Sequence, residues 1–432
     1  MLVMHVNWSD VFSRYMFLYG SKVWALCTKG VERLHWGRRD SMGLWPHLSG
    51  KKWPSQWAIL LLTLFLQTVV FFYTFIQNPV SLSATEKIRT MNTQMFAHQI
   101  NHLDSATRLD VNKSSFTGSE DLRFPLEIDM PEIVRRTFAG LAISHKPINQ
   151  PNFTYVIPNS GKCSRLTARY GKPPELLILI KTAPMNFLRR DAIRLSWGNE
   201  KCWGGRRVVR LFLLGTVLPT EKEMSRRLES EANHHNDIVQ QDFHDNYYNN
   251  TYKLMLGFEW AIRFCSSVPI IMFVDDDFFV YPKNVVAYIE GLSVALRERL
   301  FSGYIWQNAM PVRKEVRKRK WSVTWQEYPN SYYPPYVAAG NFFVSMTIAK
   351  EISVASKYTQ YLRFDDVFLG IILKKLVRTP MHLNHIYAFV PVNESSAQIN
   401  SMLSSHHYGN PSSQLALWSR LKCREFCIKA ST

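Results

Sequence analysis

The sequence predicts an α/β domain with a mostly parallel central sheet and helices on both faces, set behind a single transmembrane helix and a stem. Three observations predict it. From Pro174 onward, short apolar runs alternate with amphipathic stretches at helical spacing, the pattern of successive βαβ units. Trp57 to Ile76 is an apolar run without a charge. Between the two lies polar, aperiodic sequence.

Taken from the N-terminus, residues 1–56 carry Arg14, Lys22, Lys29, Arg33, Arg38, Arg39, Lys51 and Lys52 against Asp10, Glu32 and Asp40. The segment 57–76 rises about 30 Å as a helix, the thickness of a bilayer's hydrocarbon core. Only Lys87 and Arg89 follow closely, so the positive-inside rule puts 1–56 in the cytosol as a tail, 57–76 as a signal anchor and the rest across the membrane. The span is too long and too far from the start for a cleaved signal peptide. Residues 77–150 read as a luminal stem and 151–432 as the catalytic domain. Sequons at Asn112, Asn152, Asn249 and Asn393 and five cysteines (Cys163, Cys202, Cys265, Cys423, Cys427) fall on the far side, where disulfides persist. The cysteines read as staples with one thiol left over, since Cys423-x-x-x-Cys427 lacks further zinc ligands.

Within the domain, strands are expected at Glu175–Ile180, Val208–Leu214, Asp237–Val239 and Pro269–Val274, with helices at Asn186–Trp197, Glu221–Ala232 and Tyr248–Phe264. The mixed patterns at Ser302–Trp306, Trp321–Tyr336 and Phe342–Val344 predict an antiparallel extension. Open sheets of this kind bind ligands beyond the carboxyl ends of their strands.

Composition narrows the chemistry. With 432 residues, 46% hydrophobic and 13% aromatic, the chain buries a full core and is neither disordered nor collagenous; the absence of an internal repeat excludes solenoids and propellers. A net charge of +18 draws it toward phosphates. Asp275-Asp276-Asp277 directly follows the buried run IIMFV, and three adjacent carboxylates are costly to fold together without a cation. Magnesium or manganese bridging one or two of them to a diphosphate fits; a solvated acidic turn is the plainer alternative, against which the following Phe278-Phe279-Val280 argues. A second pair, Asp365-Asp366, opens a helical pattern and offers either an N-cap or a general base. Lys181, Arg189, Arg190 and Arg194 are candidate phosphate ligands, with Arg190 and Arg194 sharing a helix face. The basic run Arg313–Lys320 reads as a solvated loop, and a luminal site makes nucleic acid no partner.

RRDAIRLSWG (189–198), FLLG (212–215), DIVQQDFHDNYYNNTYK (237–253), FVDDDFFV (273–280), YPPYVAAGNFFVS (333–345) and DDVFLG (365–370) stand in an order that resembles the β-1,3-glycosyltransferases of glycosyltransferase family 31, nearest the invertebrate brainiac type. The resemblance implies a GT-A fold and a type II Golgi membrane enzyme. Its reaction would be inverting and manganese-dependent, moving a hexose or N-acetylhexosamine to a glycolipid or glycoprotein glycan, N-acetylglucosamine from UDP-GlcNAc first and galactose second. It implies Asp277 as a metal ligand, Asp275 and Asp276 near the nucleotide ribose and Asp366 as the base. His407 would be a second metal ligand, passing to His406 if the register slips by one. Lys181, Arg190, Arg194 and Lys253 would lie near the UDP. Asp365 stands where many members have Glu, and only Gly340 preserves the glycine-rich stretch after Tyr336. Homo-oligomers or complexes with other Golgi transferases are compatible with this reading. Its rivals are a metal-dependent phosphoryl-transfer enzyme, and a lectin-like protein stacking sugars on Trp306, Trp321 and Trp325.

Overall fold

The computed structural model describes residues 128–313 and 320–428. The expected cytosolic tail and membrane span, and most of the stem and of the basic run, lie outside these; among the described residues no helix is long and apolar enough to cross a membrane. In chain order, α1 (Met130–Phe138), β1 (Tyr155–Ile157) and α2 (Lys162–Tyr170) lead into β2 (Leu176–Lys181), α3 (Phe187–Leu195), β3 (Val208–Thr216), α4 (Lys222–His235), β4 (Ile238–His244), α5 (Asn250–Phe264) and β5 (Ile270–Asp275). There follow β6 (Phe279–Val280), α6 (Pro282–Gly291), α7 (Val294–Glu298), β7 (Phe301–Trp306), β8 (Val312–Arg313), β9 (Ser322–Val323), β10 (Tyr336–Ser345) and α8 (Met346–Ala355). The last elements are α9 (Asp365–Lys375), β11 (Met381–His382), β12 (Ile386–Tyr387), α10 (Gln398–Ser401), β13 (Ser404–Ser405) and α11 (Pro411–Arg420).

The main sheet has the order β1-β4-β3-β2-β5-β10-β7-β11. Strands β4, β3, β2 and β5 are parallel neighbours, and β10 enters antiparallel between β5 and β7, the extension expected from the second half. All six residues of β2 are buried, as both-face coverage by helices requires. Its side chains alternate between two cores. Leu177 and Leu179 join a cluster with Leu254 and Phe258 of α5 and Ile372 of α9. Leu176, Ile178 and Ile180 join Ile193 of α3, Leu228 of α4 and Trp418 of α11. Each fully buried side chain of this size contributes roughly 1.5–3 kcal/mol.

Two boundaries differ from expectation. The stem does not run to residue 150. Asp129 caps α1 by accepting from Glu132 N, and Met130, Ile133 and Val134 are buried in the first core. Asn149 donates from its side chain to the Ser356 and Thr359 carbonyls, so residues 128–150 are part of the folded unit. Their apolar spacing is short and surrounded by polar sequence, which hid the docking. Trp321–Tyr336 forms only the two-residue β9 before β10 begins. Disulfides join Cys163 to Cys265 and Cys202 to Cys427, and Cys423 is a buried thiol.

Candidate active site

The chain winds outward from β2 through β3 to β4, then returns to place β5 on the other side of β2. That reversal opens a crevice at the carboxyl ends of β2 and β5. Lys181 and Asp275, the last residues of these strands, are register partners. Lys181 Nζ donates to Asp365 Oδ2 at 2.5 Å and sits 3.1 Å from Asp275 Oδ1. One buried ammonium thus joins the two acidic clusters that stand 90 residues apart in sequence. Burial alone would strip its proton, but the two carboxylates outweigh that and hold it charged. Burial raises Asp275 in turn; Lys181 draws it back, and the charges of Asp277 and Asp365 push it up.

The three carboxylates of the triplet do different things. Asp276 is buried, and its oxygens accept from Thr182 Oγ1 (2.5 Å), Asn186 Nδ2 (2.8 Å) and Arg189 Nη1 (2.8 Å). It fastens the β2–α3 loop to the end of β5. Asp277 turns the other way: its Oδ2 lies 3.2 Å from His406 Nε2, and its carbonyl accepts from Tyr408 N. Burial would raise Asp277, but the His406 hydrogen bond and charge hold it below the usual carboxylate range; His406 is raised by the same hydrogen bond. Gly340 lets β10 pass close here, since a Cβ would stand 2.5 Å from the Phe278 ring. Asn341 then donates to Phe273 O and accepts from Ser404 Oγ, locking the strand bearing the triplet to β13, beside His406.

Asp365 and Asp366 occupy the first turn of α9, where the helix dipole favours negative charge. Asp365 is buried against Lys181, whereas Asp366 is half-buried and accepts from its own Val367 N at 2.8 Å. Burial, and next the Asp365 charge, raise the Asp366 carboxyl above its ordinary range. A carboxylate poised in this way takes a proton more readily than a solvated one.

A sequence model of the galactosyltransferase family matches residues 188–384. The β-1,3-galactosyltransferase brn of Drosophila melanogaster is 35% identical over 275 residues, 63% of this chain and 78% of that protein. The chain belongs to the galactosyltransferase family, glycosyltransferase family 31. Human β-1,3-galactosyltransferase 1 is 34% identical over 61% of this chain and 76% of its own length, and mouse β-1,3-galactosyltransferase 5 is 34% identical over 58% and 80%.

Several basic residues expected at the UDP of this galactosyltransferase-family chain are engaged elsewhere. Arg190 is fully buried, forked onto Glu231 and donating to the Ala183 and Pro184 carbonyls. Arg194 forks onto Asp237 at 2.9 Å and reaches Glu231; Asp237 stands at the amino end of β4, whereas the crevice forms at the carboxyl ends of the strands. The face that Arg190 and Arg194 share is the inner one. Lys253 is buried between Asp245 Oδ1 (2.8 Å) and Thr182 O (2.7 Å), bracing the loop after β2 rather than facing a ligand. Asp276 likewise is spoken for, and Asp275, though paired with Lys181, keeps part of its side chain exposed to the crevice.

The histidine assignment shifts by one residue. His407 is exposed, in left-handed backbone at φ 72°, and its Nε2 donates to Phe389 O at 2.8 Å; it is His406 that faces Asp277. The two are adjacent in sequence, and only the backbone turn at His407 decides which ring points inward. Arg189, a candidate phosphate ligand from the sequence, reaches the crevice through Asp276, beside the inward-facing Arg190; what sequence reasoning passed over is Asp365 as the partner of Lys181. A lysine at the end of an all-buried strand was the available signal, because such a charge needs carboxylate partners.

Among the described residues no cluster of three or more His, Cys, Asp or Glu could hold a metal unaided. Asp277 and His406 nevertheless fit a divalent cation as a pair. His406 Nε2 faces the Asp277 carboxylate, whose Oδ1 is buried without a hydrogen-bond partner, and a hard cation that keeps several waters needs only one or two protein ligands beside a diphosphate.

Proposed function

We propose that the chain is an inverting β-1,3-glycosyltransferase that moves a hexose or N-acetylhexosamine from a UDP-sugar to a sugar hydroxyl of a glycolipid or glycoprotein glycan. In this reading it is a single-pass type II protein of the Golgi membrane with the folded unit luminal. The relatives carry galactosyltransferase in their names, which favours galactose over the N-acetylglucosamine expected from the brainiac-type resemblance. The carrying observation is the Lys181 bridge, because it fixes a base-bearing helix and a donor-side carboxylate strand about one crevice.

Asp366 accepts the proton of the acceptor hydroxyl as that oxygen bonds to the donor's anomeric carbon and the bond to the UDP oxygen breaks on the opposite face. Lys181 fixes Asp365 beside Asp366, and the Asp365 charge raises the Asp366 carboxyl. Asp275 and Arg189 face the nucleotide, and Asp276 keeps Arg189 in place. A divalent cation held by Asp277 and His406 would neutralise charge on the departing diphosphate.

The test uses the full-length protein in detergent with manganese, UDP-galactose or UDP-N-acetylglucosamine, and octyl glycosides of mannose, galactose and glucose. Proton NMR of the product reads linkage and anomeric form. A β-1,3-linked product absent with Asp366→Asn is expected. Release of inorganic phosphate, or sugar lost to water at the same rate with and without acceptor, would replace this reading with the phosphoryl-transfer or hydrolytic one.

A further inference from the structure

We infer that Trp306, backed by Phe389, is the platform on which the acceptor glycan lays a pyranose ring, so that its hydroxyl is held between Asp366 and the donor side of the crevice. The inference rests on the transferase reading and adds a binding residue to it.

Trp306 ends β7 and is the register partner of Tyr336 on β10. That pairing sets the two residues side by side on neighbouring strands. Tyr336 packs on Gly370, where a Cβ would stand only 2.6 Å from the Tyr336 Cβ. Gly370 is four residues after Asp366 and lies on the same face of α9. Tyr336 therefore sits beneath Asp366, and the Asp366 charge adds to burial in raising its phenol.

The other flank of Trp306 leads to the cation side. Its ring meets Phe389 at 4.7 Å between centroids, and Tyr304 wedges edge-on against both, at 5.9 and 5.4 Å. The Phe389 carbonyl accepts from His407, and the His407 ring packs 4.3 Å from His406, the imidazole facing Asp277. Strand register on one flank and ring contacts on the other thus place the indole, at the end of β7, between the helix bearing the base and the donor-side acid.

Trp306 is 38% exposed and Phe389 45% exposed, a ring-backed apolar surface open to solvent. A pyranose offers a matching surface: its C–H groups carry partial positive charge and suit the negative face of an indole, while its hydroxyls stay at the edge for water or Asp366. The other two tryptophans are differently committed. Trp325 has the Arg313 guanidinium 3.5 Å over its ring, and Trp321 donates its Nε1–H to Tyr247.

The test compares full-length wild type with Trp306→Ala and Trp306→Phe, measuring KM separately for the octyl glycoside and the UDP-sugar, with manganese-dependent UDP binding by calorimetry as a check on folding. Losing the stacked face raises the acceptor KM of Trp306→Ala roughly tenfold, with the donor KM and UDP affinity within twofold of wild type and Trp306→Phe in between. An active wild type with unchanged acceptor KM in Trp306→Ala overturns the platform alone. Equal loss in the Ala and Phe variants together with weakened UDP binding also overturns it, in favour of a structural role. A wild type that binds UDP but transfers to no acceptor overturns the transferase reading and the platform with it.

Discussion

Replacing Asp237 by Asn tests the claim that Arg194 is a structural brace and not a nucleotide ligand. Asp237 is fully buried and receives two bonds from Arg194 and a 2.6 Å bond from Arg210. Burial alone would raise its carboxyl, but the Arg194 hydrogen bonds and the charges of Arg210 and Arg194 outweigh that and hold it at about 2. Against an unfolded value near 4, this is roughly 2–3 kcal/mol of stability, present above pH 4 and lost as the pH falls toward 2. Asn removes more than that linkage, because its amide N–H₂ faces guanidinium donors and leaves two buried cations short of a partner. Breaking one side of a buried pair costs about 3–5 kcal/mol, and this larger figure governs. For a folded unit of this size the midpoint falls by about 2 °C per kcal/mol, so Asp237→Asn melts roughly 6–10 °C below wild type at pH 7, and the gap narrows below pH 4. Thermal denaturation across pH reads the first quantity, and donor KM at 20 °C reads the second, expected within twofold of wild type. A midpoint within 1 °C of wild type, or a normal midpoint with weakened UDP-sugar binding, would refute the reasoning.

Asp366→Asn lowers kcat by about 10²–10⁴ while leaving UDP affinity unchanged, and wild-type kcat/KM falls as the pH drops through the raised Asp366 value, since only the ionised carboxylate accepts a proton; a pH profile without an acid limb would count against this base. His406→Ala abolishes the manganese dependence of UDP binding in calorimetry, and His407→Ala, whose ring donates to Phe389 O, leaves it in place. Gly370→Ala pushes α9 off Tyr336 and costs about 1–3 kcal/mol, seen as a lower melting point with reduced kcat; a variant equal to wild type in both would deny the close packing.

Much of this fold was legible because βαβ alternation writes itself into local sequence. ELLILI and PIIMFV are too short and too apolar for anything but covered strands, and they lie side by side as β2 and β5. The Asp275–Asp277 triplet was legible for the same reason, since carboxylates after such a strand contradict their surroundings, and Asp365-Asp366 stood out at the head of an apolar helical pattern. What stayed hidden depends on direction. Arg189 and Arg190 are neighbours, yet α3 turns one toward the crevice and the other into Glu231, and no spacing rule shows which face is inward until α4 is placed against it. His406 and His407 differ by one backbone torsion region. The Lys181 bridge joins residues from opposite halves of the domain, a contact that only the strand order creates.

The two disulfides close overlapping stretches of chain, 163–265 and 202–427. Lys181 and Arg189 lie in the first; Asp275, Asp276, Asp277, Asp365, Asp366 and His406 lie in the second. Every side chain of the crevice is therefore inside a covalent ring. One peptide bond cut after an arginine or lysine of the 313–320 run, where trypsin has its densest choice, falls within the larger ring and frees neither piece. The clipped chain migrates in two fragments only after thiol treatment, and until then its donor and acceptor halves stay bound in one molecule.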